Sequence, residues 1–265
     1  MNHDTTVTAV IATYNSAPTI IQSVESVLNQ TFKQIEIIVV DDGSTDTTRA
    51  ILEPYIAQKK IVYLWQENKG CGAARNRAVQ LAHGEFVAFL DADDYWHPEK
   101  IEKQIILLKK YRKYVLCYTD TYLFDEHHTP YVPPHAWCNR PRSGNNSLSL
   151  LSQNILTLSS VVMPTAVFRK LHGFVEEHKA MMFADYDLWL RAVFVGPFYA
   201  IEEPLVFYRV HPQSSEKIKS NFFEILQLFK REFRQSKTIK EKIYYAVGYS
   251  ITWIKYTRAG LIARA

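Results

Sequence analysis

Asp91, Asp93 and Asp94 crowd into four residues directly after the apolar run Phe86-Val87-Ala88-Phe89-Leu90, and a single turn or helix cap does not use three carboxylates. Two further polar clusters also follow apolar runs: Thr13-Tyr14-Asn15 and Asp41-Asp42-Gly43-Ser44. Where such runs are strands of one open α/β sheet, their carboxyl ends form the ligand crevice, so the three clusters converge on one site. Carboxylates gathered there repel one another unless a cation or protons compensate. Oxygen ligands select hard ions, which points to Mg²⁺ or Mn²⁺ with a diphosphate as the usual co-ligand. Taken singly, an Asp after a strand has the plainer use of making a turn or capping a helix.

The elements that must position these residues show as short apolar runs alternating with amphipathic segments, the pattern of consecutive βαβ units and a largely parallel sheet. Residues 7–12, 35–40, 61–65 and 86–90 are expected strands, with 115–122 a further one. Between the first two, Ile20, Ile21, Val24, Val27 and Leu28 recur at helical spacing behind Pro18, with Ser16 or Asn15 as the expected cap. Asp46 is the expected cap of a helix bearing Ile51, Leu52, Tyr55 and Ile56, in which Pro54 implies a kink or an early stop. Pro98 opens another, whose face of Ile101, Ile105 and Leu108 should pack on the sheet. Residues 127–146, rich in Pro, Asn, Arg and His without periodicity, read as an irregular loop of the kind that often binds ligands. Helix-like content resumes at Leu148.

Ala12-Thr13-Tyr14-Asn15, Val40-Asp41-Asp42-Gly43-Ser44, Asn68-Lys69-Gly70 with Ala74-Arg75-Asn76, and Asp91-Ala92-Asp93-Asp94 stand in this order along the chain. Each is weak alone; as an ordered set they resemble the family-two glycosyltransferases of the GT-A fold, from about residue 6 to about residue 212. The resemblance implies a GT-A-like (Rossmann-like) α/β fold with a mixed, mostly parallel sheet flanked by helices. It also implies inverting transfer from a nucleotide-activated sugar, commonly a UDP-sugar, with a divalent metal at the Asp-x-Asp motif. By motif position, Tyr14 would stack on the base, Asp42 would accept a hydrogen bond from its imide, and Arg75 would contact nucleotide or diphosphate. Asp91 would sit near the ribose and Asp93 would reach the metal, with Ala12, Asn15 and Ala92 completing the nucleotide-sugar site. A guanidinium suits phosphate and an aromatic face suits a base, so these roles are chemically coherent. Their plainer alternatives are a loop aromatic for Tyr14 and a solvated face charge for Arg75.

Phe183-Ala184-Asp185-Tyr186-Asp187-Leu188-Trp189-Leu190-Arg191 resembles the family stretch that supplies the catalytic base, and Asp185 matches that base. The family often has Glu where this chain has Ala184, which puts acceptor contacts in question. Asp187 is the alternative base, and both Asp residues also suit a helix start as capping and first-turn charges. Tyr208-Arg209-Val210-His211 resembles the closing motif, whose His completes the metal shell in some members; a structural hydrogen bond is the alternative for His211.

With 265 residues, 47% apolar and 22% charged, the chain is long enough for one large α/β domain, expected over 1–215, with a C-terminal helical extension over 216–265. Residues 217–265 hold eleven Lys/Arg against three Glu, so the tail is basic and the body mildly acidic although the net charge is only +4. Two helical stretches there, rich in aromatic and aliphatic residues beside Lys230, Arg231, Arg234, Lys237, Lys240 and Lys242, suit either peripheral contact with an anionic inner leaflet or a hairpin packed on the domain or a partner copy. No run reaches the ~18 apolar residues that span a bilayer. Without a basic start and apolar core, the N-terminus predicts a cytoplasmic protein. Cys71, Cys117 and Cys138 are irregularly spaced, form no disulfide or zinc pattern and read as packing residues. The expected partners are a nucleotide-sugar donor and a saccharide or lipid-linked acceptor, in bacterial surface polysaccharide synthesis. Nucleic acid is disfavoured by the acidic crevice. The rival readings are a metal-dependent nucleotidyltransferase, whose Gly-rich phosphate loop is missing after the first strand, and a catalytically silent carbohydrate-binding protein.

Overall fold

The computed structural model describes residues 7–125, 130–132, 142–176, 183–211 and 221–258, of which 221–223 and 256–258 are described by backbone only. Most of the expected loop at 127–146, with Cys138, lies outside the described residues. Strands form where the apolar runs predict them: β1 (Val7–Thr13), β2 (Ile35–Asp41), β3 (Val62–Trp65) and β4 (Phe86–Asp91). Beyond them come β5 (Tyr95–Trp96), β6 (Leu116–Phe124), β7 (Val162–Pro164) and β8 (Phe198–Arg209). The order across the sheet is β3-β2-β1-β4-β7-β6-β8-β5. β3, β2, β1 and β4 are mutually parallel; β7 pairs antiparallel with both β4 and β6, β6 pairs parallel with β8, and β5 is antiparallel to β8. The sheet is therefore mixed, as the resemblance implies.

Residue alternation along each strand divides the core. Val7, Ala9 and Ile11 of β1, with Phe86, Ala88 and Leu90 of β4, face α1 (Ile20–Leu28), α2 (Thr48–Ala57) and α4 (Lys100–Lys110). Val10, Val87 and Phe89 face the other layer, which holds α3 (Cys71–Gln80), α5 (Ser147–Ser152), α6 (Thr165–Lys170) and α7 (Ala184–Ala192). This is the period of two expected of a pleated strand covered on both sides, and each fully buried Val, Ile or Leu contributes about 1.5–3 kcal/mol. The face of Ile101, Ile105 and Leu108 is buried on the sheet as expected.

Helix starts depart in detail from the sequence expectation. Thr19 holds the cap position of α1, and the carbonyl of Ser16 accepts the N–H groups of Thr19 and Ile20 where a side-chain cap was expected. Thr47, not Asp46, holds the cap position of α2; Asp46 stands one residue earlier, and its Oδ1 accepts the N–H of Thr48 at 2.9 Å. Pro54 does not stop that helix, which runs on to Ala57.

Two further helices, α8 (Asn221–Gln235) and α9 (Ile239–Arg258), lean on the body. Leu228, Phe229 and Tyr245 enter the same apolar cluster as Trp189 and Leu190. Tyr244 donates its hydroxyl to Ser147 O at 2.8 Å. Among the described residues no helix is long and apolar enough to cross a membrane.

Candidate active site

Parallel pairing sets the site. Ala12 lies opposite both Val40 and Asp91, and Thr13 opposite Asp41, so the three polar clusters leave their strands at one edge of the sheet. After β1 the chain moves outward to β2 and β3, then returns to the other side of β1 as β4. The reversal between β1 and β4 is the switch point at which an open α/β sheet binds ligands. A cleft of about 1050 Å³ opens there, and Ala12, Tyr14, Asn15, Arg75, Asp91, Ala92, Asp93 and His211 all line it. Tyr14 is half exposed, its ring available to a flat ligand.

Asn15 supplies the bend. Its φ of 51° is left-handed, a region Asn tolerates better than other side chains. From there its Oδ1 accepts the N–H groups of Thr45 and Asp46, and its own N–H donates to Ser44 Oγ. The β1 and β2 loops are thereby locked side by side beneath Tyr14.

Asp42 is placed differently from the expectation. It is buried and does not line the cleft; its carboxylate accepts Gln66 Nε2 at 2.7 Å, Lys69 N at 2.9 Å and Gly70 N at 2.7 Å. Three N–H donors engage this carboxylate, which pins the Asn68-Lys69-Gly70 loop. Gly43 makes this possible, with φ at +86° and a position where a Cβ would come within 2.9 Å of Asn68 N. Gly70 in turn precedes α3, which delivers Arg75.

Arg75 is buried, its Nη2 2.6 Å from Asp91 Oδ1 and its guanidinium 5.5 Å from the Phe174 ring centroid. Next to it, Asp93 Oδ2 lies 2.8 Å from His211 Nε2. Asp94 turns away from the cleft: its carboxylate accepts Ser159 Oγ at 2.6 Å and Arg209 N at 3.0 Å, while Arg209 Nε donates to Asp93 O. Ser159 Oγ also accepts Asp91 N. Burial, reinforced by Asp91 and Asp93, holds the Asp94 carboxyl well above the usual carboxylate range. Asp94 and Ser159 thus fasten the Asp91–Asp93 turn to the end of β8, which presents His211.

A second cavity of about 310 Å³ adjoins the first, sharing Cys71, Arg75 and Asp91 and adding Asn154, Thr157, Ala184, Asp185 and Tyr208. Asp185 opens α7, and Asn154 Nδ2 donates to its Oδ2 at 3.0 Å. Burial pushes the Asp185 carboxyl up to about 6, against the opposing effects of the Tyr186 N–H, Arg75 and Asn154. Asp187, the alternative base, is fully buried and clamped between Arg191, at 2.6 Å, and Arg231. It reaches neither cavity and fixes α8 to α7. Cys71 also departs from the expectation, being exposed on both cavity walls, whereas Cys117 is a buried packing residue. Asn154 and Ser159 have no motif around them; the signal lies only in the contacts.

A model of glycosyl transferase family 2 matches residues 8–171. The chain belongs to that family. This family 2 glycosyltransferase is 33% identical over 236 residues, 88% of its length and 85% of the relative's, to the Escherichia coli UDP-Glc:alpha-D-GlcNAc-diphosphoundecaprenol beta-1,3-glucosyltransferase WfaP. It is 34% identical to an uncharacterized glycosyltransferase of Rickettsia typhi, covering 89% of its own length and 74% of that protein's. Among solved structures, the glycosyltransferase fold is shared with Staphylococcus aureus TarS in complex with UDP, at a TM-score of 0.71 and 21% identity over 95% of this chain and 72% of TarS. It is shared equally with the Pyrobaculum calidifontis mannosyltransferase PcManGT in complex with GDP-Man and Mn²⁺, at a TM-score of 0.71 and 20% identity over 97% and 74%. The GT-A architecture expected from the motifs is the one observed.

Proposed function

We propose that this glycosyltransferase moves one sugar, with inversion, from a nucleotide-diphosphate donor, a UDP-sugar, to a hydroxyl of a saccharide or lipid-linked saccharide. The observation that carries the reading is the pair of cavities meeting at Arg75 and Asp91, one lined by Tyr14 and Asp93, the other by Asp185. A donor whose base rests on Tyr14 places its diphosphate beside Arg75, and an acceptor enters from the side of Asp185. Asp185 takes the acceptor hydroxyl's proton as that oxygen bonds the anomeric carbon; the carbon's bond to the diphosphate oxygen breaks on the opposite face, and its electron pair stays with the leaving group. Arg75 meets the charge that develops there.

Asp93 Oδ2 and His211 Nε2 are close enough to share one ion, and a carboxylate with a ring nitrogen suits Mn²⁺ better than Mg²⁺. Among the described residues no three such side chains cluster, which fits an ion completed by substrate phosphates and not by a protein cage. Bound there, the ion would neutralise charge on the departing diphosphate. The donor class is supported by the UDP and GDP-Man held by the structural neighbours, and the acceptor class by the name of the Escherichia coli relative. A lipid-linked acceptor would place the enzyme at the cytoplasmic face of the membrane, in surface polysaccharide assembly.

Asp185→Asn tests the assignment. Turnover of donor in the presence of acceptor should fall by at least about a thousandfold while UDP still raises the melting temperature. Turnover equal to the parent's would refute Asp185 as the base.

A further inference from the structure

The side of α9 turned away from the body carries Ile239, Ile243, Val247 and Ile254, which are 79%, 60%, 42% and 49% exposed. At 3.6 residues per turn these positions fall within an arc of about 80°. Exposed Lys240 and Lys242 flank that arc on opposite sides, and the exposed small residues Ala246 and Ser250 fill it out. The described carboxylates of the two helices lie off it: Glu224 Oε2 and Glu232 are buried, and Glu241 faces the opposite way, its Oε2 accepting the N–H groups of Lys237 and Thr238. An apolar stripe rimmed by ammonium groups is complementary to acyl chains beneath a layer of lipid phosphates. A second copy is a poor occupant, because a two-fold pairing would set like-charged rims against each other.

We propose that α9 docks the enzyme on an anionic lipid surface, with the isoleucine stripe in the headgroup boundary and Lys240 and Lys242 on lipid phosphates. The docked helix borders the acceptor side of the site. Lys255 Nζ donates to Ser152 O at 3.4 Å, and two residues later Asn154 contacts Asp185. This placement suits delivery of a lipid-linked acceptor, a consequence that rests on the proposed function, whereas the docking itself does not.

The test uses the full chain, since removing α8 and α9 would strip Phe229 and Tyr245 from the core. The parent should co-sediment with phosphatidylcholine vesicles containing phosphatidylglycerol, less so as salt rises, and stay in solution with phosphatidylcholine alone. Ile243→Glu with Ile254→Glu, and separately Lys240→Glu with Lys242→Glu, should each lower partitioning more than about tenfold. Both variants should keep the parent's melting temperature and its rise with UDP. Equal pelleting with neutral and anionic vesicles, or undiminished pelleting of both variants, would overturn the proposal. So would a dimer, seen by light scattering in the parent and abolished in the isoleucine variant, in a chain that ignores vesicles. Loss of the UDP response in the parent, with vesicle binding intact, would sink the donor reading and leave the docking standing.

Discussion

A carboxylate at the first turn of a helix is favoured in its charged form by the helix N-terminus, and Asp185 on α7 has that advantage together with hydrogen bonds from the Tyr186 N–H and Asn154. Burial outweighs these and the attraction of Arg75, assisted by the neighbouring Asp91; Tyr208 lines the same cavity. A base must be ionised to accept a proton, so kcat/KM should climb as pH rises through about 6 and level off above it. Asn154→Ala removes a donor that favours the ionised form, and the acid limb should move up by about 0.5 to 1 in pH, with near-parental turnover at the plateau. A pH–rate profile checks both points; an unmoved limb would mean that Asn154 packs without orienting the base. Sequence matched Asp185 to the base by resemblance and kept Asp187 as the alternative. Two positions along a helix differ by about 200°, so one Asp lines the cavity while the other is sealed between two arginines, one of them from a helix more than forty residues on that periodicity around α7 does not reveal.

At the scale of elements, β1, β2 and β4 were legible because long apolar runs bounded by polar turns have one physical reading, and the sheet edge that gathers Ala12, Tyr14, Asn15, Asp91 and Asp93 followed from it. β5 and β7 were not: strands of two and three residues have no period to detect. The hydrogen bonds that hold Asp42 escaped for a related reason, since its partners arrive 24 to 28 residues further on. Lys100 was equally unreadable. It begins the amphipathic helix α4, yet its side chain is fully buried, with Nζ 4.1 Å from the Trp96 ring centroid and no hydrogen-bond partner among the described residues. Burial lowers its ammonium to about 7. The unfolded chain therefore binds the extra proton between about pH 7 and about 10.5, and stability should rise with pH across that window. Lys100→Met keeps the stem and deletes the charge; it should flatten this dependence and add on the order of 2 kcal/mol at neutral pH. Urea midpoints near pH 7 and pH 9 decide it, and a Met variant no more stable than the parent would show that the cation–π contact fully compensates the burial.

For the molecule as a whole, the open matter is whether α8 and α9 unfold with the body or before it. Their apolar side chains sit in one cluster with those of α7, and Asp187, fully buried, receives Arg191 from its own helix and Arg231 from α8. A buried carboxylate deprived of one cation retains its desolvation cost and loses half of its compensation, so Arg231→Ala should cost about 2–4 kcal/mol. In a chain of this length that lowers the melting temperature by roughly 5–15 °C. Because the same carboxylate anchors the helix that carries Asp185 in its first turn, the loss should appear as a downward shift of one transition, followed alike by far-UV ellipticity and tryptophan fluorescence. An early transition confined to ellipticity, with the fluorescence midpoint unmoved, would instead make the tail a separately melting unit. Turnover should then survive temperatures at which α8 and α9 are already lost.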